Sequence, residues 1–375
     1  MFYNTKKSPY GVICMKITIH DKAKVIIENP LSIHNYFGWP TAARLKNGKI
    51  AVTASGFRLG HVCPFGKTVI SFSDDDGKTY TLPAPVIDTC LDDRDGGLCA
   101  FGESGLILTS FNNKVDWQKE ITDDPYKLAY LDKITPEQEE KALGSTFRVS
   151  YDNTTTFGPL YKSPISSPHG PCELSDGRIL WVGCVFDGSY LRNEDVNDIQ
   201  VYTLNPENGE MNYVGEIENI EIDGVKYNSY EPHAIELDDG TILVHIRVET
   251  STFTHFTLFQ SKSTDGGKTW TKPVQILEDK GGAPAHIFKH SSGTLICTYG
   301  DRQAPFGIKA MFSKDGGETW DTNYTLYINN EISSDLGYPS TVELPDRSLL
   351  TIFYAHNTKW DDPAIIMQTH WSFEE

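Results

Sequence analysis

Residues 229–247 carry the clearest pattern of apolar and polar positions in the chain. Alternating and β-branched residues flank Leu237-Asp238-Asp239-Gly240 on both sides, as in two β-strands joined by a tight turn. The pattern therefore predicts a β-hairpin that begins near Glu231 and ends near Arg247. Because a hairpin returns on itself, this carboxylate and this guanidinium are expected at the same end of the unit.

The same hairpin pattern occurs six times, at intervals of about 50 to 70 residues. The last copy has Arg347 at the turn position where the other copies have glycine. Repeats of this length that contain strands only are typical of propeller blades. The remaining five copies lie at residues 43–50, 101–107, 173–179, 288–295 and 343–349.

A second repeated motif has the form S-x-D-x-G-x-T-W. Residues 263–270 and 313–320 match it fully, residues 73–80 match with Tyr for Trp, and residues 150–157 are a degraded copy. In such a turn Asp and Ser accept hydrogen bonds from turn amides, Gly takes the strained position, and the aromatic ring packs beneath. These Asp boxes are predicted to be structural rather than catalytic.

Together the two motifs resemble those of the sialidase (neuraminidase) superfamily, of which the chain is a divergent member from about Tyr36 to Trp371. The resemblance implies an all-β, six-bladed propeller over residues 36–375. Residues 1–35 are expected to be a lead-in, with one strand that closes the ring. A long insertion at about 113–145 contains a predicted helix, capped by Thr135, with little helix elsewhere.

The resemblance also implies site residues. Sialidases have a blade-initial Glu before Pro and a nucleophilic Tyr just before a later turn, and Glu231 and Tyr338 match these contexts. Tyr338 is thus the expected nucleophile, and Glu231 the base that lowers its pKa; a tyrosine nucleophile is the sialidase exception among glycosidases. Arg247 and Arg302 match two of the three arginines that hold the substrate carboxylate.

Two positions depart from the family pattern. Trp39 occupies the place of the first arginine, and the loop 59–66, where the acid aspartate is expected, has no carboxylate. His61 in that loop, with an ordinary histidine pKa, and the neighbouring Asp93 and Asp95 are equal candidates for the acid. The Arg94 side chain is expected to keep Asp93 ionised.

The ends of the predicted hairpins bring further polar side chains to one rim, where propellers bind ligands. Trp39, Arg247 and Arg302 are joined by five further predicted substrate-binding residues. These are Arg58, Arg94, His169, His233 and His286. The rim histidines, with His245 and His356, also permit a polysaccharide lyase or a uronic-acid-directed hydrolase. A third alternative is a non-catalytic glycan-binding propeller.

Composition limits the partners and the compartment. The formal charge of −18 argues against nucleic acid and anionic membranes, and leaves a glycan or small acidic sugar as the expected partner. No cofactor is expected, and no metal, because the Asp and His groups lack ligand spacing. Seven cysteines without a C-x-x-C pair indicate free thiols. Without an apolar leader the sequence predicts a cytoplasmic protein, or a secreted one if a leader was removed.

Overall fold

The computed structural model describes residues 15–186, 198–250, 256–278, 282–329, 332–359 and 362–374, without the side chain at 283. The first fourteen residues of the predicted lead-in lie outside these ranges. The described ranges contain 27 strands and three short helices.

Each predicted hairpin forms the two inner strands of an antiparallel sheet, and six such sheets make the blades. The first strands of successive blades contact one another in a ring that closes between the sixth and first blades. The six-bladed all-β fold is therefore confirmed. The strands of blades one to three are β2 Tyr36–Arg44, β3 Ile50–Arg58, β4 Lys67–Ser73, β5 Ala84–Ile87, β6 Leu98–Phe101, β7 Gly105–Asn112, β8 Gly144–Ser150, β9 Tyr161–Ser163, β10 Ile165–Ser166, β11 Cys172–Glu173, β12 Ile179–Val185, β13 Ile199–Leu204 and β14 Met211–Ile217.

A small two-stranded ribbon precedes the fourth blade. It consists of β15 Glu221–Ile222 and β16 Val225–Lys226. The strands of blades four to six are β17 Asn228–Glu236, β18 Ile242–Glu249, β19 Phe256–Ser263, β20 Val274–Gln275, β21 Gly282–Lys289, β22 Leu295–Asp301, β23 Gly307–Ser313, β24 Asp321–Ile328, β25 Gly337–Glu343, β26 Leu349–His356 and β27 Ala364–Glu374.

The strand in the lead-in is β1, Lys16–Ile27, which pairs antiparallel with β27 and is the outermost strand of the sixth blade. One blade thus combines strands from both ends of the described chain. Apolar side chains fill the spaces between neighbouring blades, as in the cluster that joins the first blade to the sixth through Phe37 and Tyr354.

The turns have the conformations that the hairpin pattern predicts. Gly240 has a φ of 82°, and its amide donates to the Leu237 carbonyl oxygen at 3.0 Å. Arg347 has a φ of 70°, so in the sixth blade a side chain occupies the left-handed region that favours glycine. In the 263–270 turn, Asp265 accepts hydrogen bonds from the Thr269 amide and hydroxyl at 2.9 and 2.7 Å.

The insertion forms three helices: α1 Val115–Glu120, α2 Pro125–Leu131 and α3 Pro136–Ala142. The α3 prediction is confirmed, and Thr135 caps it in a capping box with Gln138. Little helix forms elsewhere in the described ranges, as expected: α1 and α2 are short and lie in the same insertion, although neither was predicted individually. The missed signal for α2 is Asp124 before Pro125, which is an N-cap followed by proline at the first helical position.

The insertion packs over the loop after β3. Lys127 donates to the Val62 carbonyl oxygen at 2.9 Å, and the Phe65 ring lies 5.1 and 4.8 Å from the Tyr126 and Tyr130 rings. The helices therefore support the loop that carries His61.

Candidate active site

The first strands of four blades contain a register shift at the same place. The ladders shift between Gly38 and Thr41 in β2, Tyr230 and His233 in β17, Gly282 and Ala285 in β21, and Gly337 and Ser340 in β25. In β2, β17 and β25 the residue before proline has a left-handed backbone: φ is 54° for Trp39, 48° for Glu231 and 49° for Tyr338. Non-glycine residues seldom adopt this conformation, and such strain is concentrated at functional sites. The bulges turn these side chains into a common cavity.

The cavity has a volume of about 280 Å³, the lower end of the range for small-molecule sites. All six blades contribute to its lining, and the fifth does so through Arg302, which directly follows β22. Its lining includes Trp39, His61, Arg94, Asp95, Phe111, Ser166, Ser167, Pro168, Cys184, Phe186, Tyr230, Glu231, Arg247, Glu249, Arg302 and Tyr338.

Tyr338, Glu231 and Arg247 form a connected group in this cavity. The Tyr338 hydroxyl donates to Glu231 Oε1 at 2.5 Å, while Arg247 Nη1 donates to Glu231 Oε2 at 2.7 Å and lies 3.5 Å from the Tyr338 oxygen. Burial, followed by the negative charge of Glu231, raises the pKa of Tyr338 well above its ordinary value. The expectation that Glu231 lowers this pKa is therefore wrong for the resting site. In the resting site Glu231 is the acceptor of the Tyr338 hydroxyl hydrogen.

Glu249 is a cavity residue that the sequence reasoning missed. It accepts from Arg247 Nε at 3.0 Å and from Arg247 Nη2 at 2.6 Å. The sequence could have indicated Glu249, because residues two positions apart on a strand, such as Arg247 and Glu249, lie on the same face. Glu231 and Glu249 together oppose the charge of Arg247.

Arg302 has no carboxylate partner among the described residues. Its Nε donates to the Leu336 carbonyl oxygen at 3.1 Å, and its Nη2 lies 3.5 Å from the Tyr354 hydroxyl. Its guanidinium carbon is 5.9 Å from the centre of the Tyr338 ring. Arg302 is thus a cation beside Tyr338 that remains available to an anionic group.

Arg58 is not brought to the cavity. Its side chain is fully buried and donates all five N–H bonds within the protein, two of them to Asp92. The others reach Ser55 Oγ and the carbonyl oxygens of Gly60 and His61. This placement argues against the predicted contact between Arg58 and substrate.

Arg94 lies at the cavity wall beside Trp39, with its guanidinium carbon 4.3 Å from the centre of the Trp39 ring. Its Nη1 donates to Asp92 Oδ2 at 3.3 Å and to the His61 carbonyl oxygen at 3.0 Å. The Trp39 ring therefore lies beside two guanidinium groups, those of Arg58 and Arg94.

Asp93 and Asp95 have different surroundings. Asp93 is buried outside the cavity, where it accepts from the Thr89 amide and hydroxyl at 2.6 and 2.8 Å. Burial raises its pKa to about 7, so the expectation that Arg94 keeps it ionised is wrong; Arg94 pairs with Asp92 instead. Asp95 lines the cavity, and burial, opposed by Arg94, raises its pKa to about 7.

His61 lies at the cavity edge with its side chain half exposed. Its Nδ1 is 3.2 Å from Asp335 Oδ1 and 3.3 Å from the Tyr36 hydroxyl. Asp335 also accepts from Tyr36 at 2.7 Å and Tyr354 at 2.8 Å, and lies 3.2 Å from His356 Nε2. Sequence reasoning missed Asp335, which lies in the loop before β25 and follows no recognisable motif.

His169, His233 and His286 form a buried cluster that does not line the cavity, with ring centroids 4.5 to 5.3 Å apart. The Nδ1 atoms of His233 and His286 accept from the amides of Ile287 and Thr341 at 3.0 and 3.3 Å. Burial lowers the pKa of all three, so they are neutral at ordinary pH. Of the predicted rim histidines, only His61 lines the cavity. Three form this cluster, His245 is buried beside Gln260, and His356 lies beside Asp335.

Searches for other chemistry apply to the described ranges alone. There, no cluster of three or more His, Cys, Asp or Glu side chains has an arrangement that could hold a metal ion, and six cysteines are free thiols. No helix in these ranges is long and apolar enough to cross a membrane.

Several solved structures share the fold. A protein of unknown function from Dyadobacter fermentans is 20% identical, with a TM-score of 0.73 over 96% of this chain and 99% of that chain. The NanB sialidase of Streptococcus pneumoniae is 13% identical, with a TM-score of 0.64 over 95% of this chain and 71% of that chain. The Trypanosoma rangeli sialidase is 14% identical, with a TM-score of 0.60 over 95% of this chain and 59% of its own.

Sequence comparison gives the family. A search of curated proteins finds no significant match. Residues 133–355, more than half of the chain, match the BNR repeat-like domain. The chain therefore belongs to the BNR repeat-like domain family, as a divergent member with the six-bladed fold of the sialidases.

Proposed function

We propose that the cavity is the active site of an exo-acting glycosidase that removes a terminal acidic sugar, sialic acid or a related sugar, from a glycan. The observation that carries the proposal is the 2.5 Å hydrogen bond from the Tyr338 hydroxyl to Glu231 Oε1 inside a cavity of about 280 Å³. A buried phenol paired with a carboxylate is a nucleophile joined to its base. The sialidase fold of the chain supports the same assignment.

Tyr338 is the nucleophile in this proposal. Its oxygen attacks the anomeric carbon as its proton passes to Glu231. Arg247, 3.5 Å from the same oxygen, stabilises the negative charge that develops on it. A phenol that is neutral at rest is not repelled by a negatively charged sugar, and the raised pKa of Tyr338 keeps it neutral until the sugar reacts.

Arg302 is the principal group for recognising the substrate's acidic group. It has no carboxylate partner among the described residues, whereas Arg247 is paired with Glu231 and Glu249. A guanidinium can bind a carboxylate through two parallel hydrogen bonds. With Trp39 in place of a further arginine, the cavity is suited to a sugar with one acidic group, so uronic acids and sialic acids are the classes to test.

The test is a panel of aryl glycosides of sialic acids, uronic acids and matched neutral sugars. We expect release of the aryl group from an acidic member, and loss of this activity by a factor of about 10² or more in Tyr338→Phe. A 2-fluoro or 3-fluoro analogue of the active sugar should leave a covalent adduct on Tyr338, detected by peptide mass spectrometry.

Three outcomes would contradict the proposal. Cleavage that persists in Tyr338→Phe at the wild-type rate would remove Tyr338 from the mechanism. Products with a new carbon–carbon double bond from acidic oligosaccharides would indicate the lyase alternative. Binding of an acidic glycan by calorimetry without turnover of any substrate would indicate a glycan-binding propeller.

A further inference from the structure

The proposed glycosidase needs a proton donor for the leaving oxygen, and the loop 59–66 has no carboxylate. We propose that His61 is this donor and that Asp335 is the positioning residue that fixes its tautomer. The inference rests on the proposed function. It is carried by the hydrogen bonds of the His61–Asp335 pair and by the position of His61 at the cavity edge.

The hydrogen bonds determine which nitrogen of His61 bears a proton. The Tyr36 hydroxyl donates its single hydrogen to Asp335 Oδ2 at 2.7 Å, so its oxygen can only accept from His61 Nδ1 at 3.3 Å. The other neighbour of Nδ1 is the Asp335 carboxylate at 3.2 Å, which is also an acceptor. Nδ1 therefore carries hydrogen, and Nε2 is the nitrogen that gains and loses a proton. Among the described residues Nε2 has no hydrogen-bond partner.

Asp335 remains an anion in this arrangement. Although burial opposes its ionisation, hydrogen bonds from His356, His61 and Tyr36 hold the pKa of Asp335 well below its usual range. An ionised partner on Nδ1 keeps the imidazole oriented and stabilises the imidazolium, as the aspartate does in a catalytic triad.

The exposed fraction of the side chain distinguishes His61 from Asp95, the other cavity residue that could be the proton donor. The Asp95 side chain is 5% exposed, and its charge interacts with Glu231 and Tyr338, so it lies on the nucleophile side of the cavity. The His61 side chain is 53% exposed. An exo-enzyme releases the rest of the glycan through the open side of its cavity, and the leaving oxygen is there. His61 is on that side, whereas Asp95 is suited to accept a hydrogen bond from a sugar hydroxyl.

The proposed reaction has two steps. In the first step the bond from the anomeric carbon to the leaving oxygen breaks as the bond to the Tyr338 oxygen forms. The Tyr338 proton passes to Glu231, and the Nε2 proton of His61 passes to the leaving oxygen. In the second step water attacks the anomeric carbon and gives a proton to His61, while the Tyr338 oxygen departs and recovers its proton from Glu231.

The groups around His61 determine the direction in which its pKa is shifted. Partial desolvation at the cavity edge lowers the pKa of His61, Asp335 opposes this shift, and the Arg94 and Arg58 guanidinium groups add to it. Tyr36 and the Trp39 ring, whose centroid is 4.9 Å from that of His61, complete its surroundings. The first step requires the imidazolium, so kcat/KM falls as the pH rises through this pKa. Replacing Asp335 by Asn removes the opposing anion, and the fall should begin at lower pH.

The experiment compares His61→Gln, Asp335→Asn and Asp95→Asn on one sugar with an activated and a poor leaving group. We expect His61→Gln to lose about 10²–10⁴-fold in kcat/KM on the poor leaving group and less than about tenfold on the activated one. Asp335→Asn should show a smaller loss with the same preference and the shifted pH profile. The control is His20→Gln, a surface histidine in β1, which should match wild type.

Three results would overturn the inference. These are equal losses on both substrates in His61→Gln, an unshifted pH profile in Asp335→Asn, or a leaving-group-dependent loss in Asp95→Asn instead. A second measurement does not need turnover: nitrogen NMR of the histidine side chains should show His61 protonated at Nδ1. If no glycoside is cleaved, the proposed function fails, while a proton on Nε2 alone would refute the pair itself.

Discussion

The buried ion pair between Arg58 and Asp92 should be essential for the stability of the His61 loop. Both side chains are fully buried, and Asp92 accepts from Arg58 Nη1 and Nη2 at 2.5 and 2.9 Å and from the Cys63 amide at 3.1 Å. The Asp92→Asn variant keeps the shape but removes the charge and places an amide N–H₂ against these donors. The guanidinium of Arg58 is then left as an uncompensated buried charge.

Breaking such a pair typically costs about 3–5 kcal/mol. An unfolding entropy of about 2.1 cal/mol/K per residue gives about 0.8 kcal/mol/K for 375 residues, so the expected decrease in Tm is about 4–6 °C. The matched control is Asp88→Asn, which breaks the exposed pair with Lys67. An exposed pair contributes at most about 1 kcal/mol, so the control should lose no more than about 1 °C.

Differential scanning calorimetry of both variants measures the effect, with urea unfolding as a second measure. The double variant Arg58→Met, Asp92→Asn should recover part of the lost Tm, because it also removes the uncompensated buried cation. Equal Tm values for Asp92→Asn and Asp88→Asn would refute the reasoning. So would a double variant less stable than Asp92→Asn alone.

The remaining predictions concern pH, anion recognition and the insertion. Burial lowers the pKa of His233 and His245 to about 3, whereas unfolded histidine titrates near about 6.5. The unfolded state therefore binds more protons below that pH. These two histidines should make the protein about 4 kcal/mol less stable at about pH 5 than at about pH 7, as measured by urea unfolding. An unchanged stability would contradict the burial argument. Arg302→Met should weaken binding of an acidic sugar about tenfold or more in calorimetry and leave a neutral analogue unchanged. Thr135→Ala should cost about 1 kcal/mol of stability or less, seen as faster amide exchange in α3 rather than global unfolding.

Local sequence patterns predicted the parts of the fold that depend on local chemistry. The Asp-Asp-Gly turn of the fourth blade and the capping box of α3 are each determined by a few neighbouring residues, and both form as expected. The α2 helix was missed although its signals, Asp124 and Pro125, are equally local. Leu131 is its one buried residue, and it packs against Leu91 in the loop between β5 and β6, which is distant in sequence.

The site was less predictable, because its residues interact across blades. A carboxylate at a rim can face solvent, a guanidinium or another acid, and the sequence does not say which. Asp93 was expected to be held ionised by its neighbour Arg94, yet adjacent residues on an extended chain point in opposite directions. Arg94 instead meets Asp92, two positions away. Asp335 could not be identified from sequence, because two of its partners, His61 and Tyr36, lie 274 and 299 positions earlier in the chain.

One feature of the sequence links the fold to the cavity directly. Trp39, Glu231 and Tyr338 each precede a proline in the first strand of a blade, and each has a left-handed backbone at a bulge. Proline removes a ladder hydrogen bond and is tolerated in a sheet mainly at edges and bulges. An X-Pro step in an otherwise regular inner strand therefore marks the residue whose side chain leaves the sheet face. The residue type at X then sets the chemical group that each blade contributes to the cavity: an indole ring, a carboxylate and a phenol.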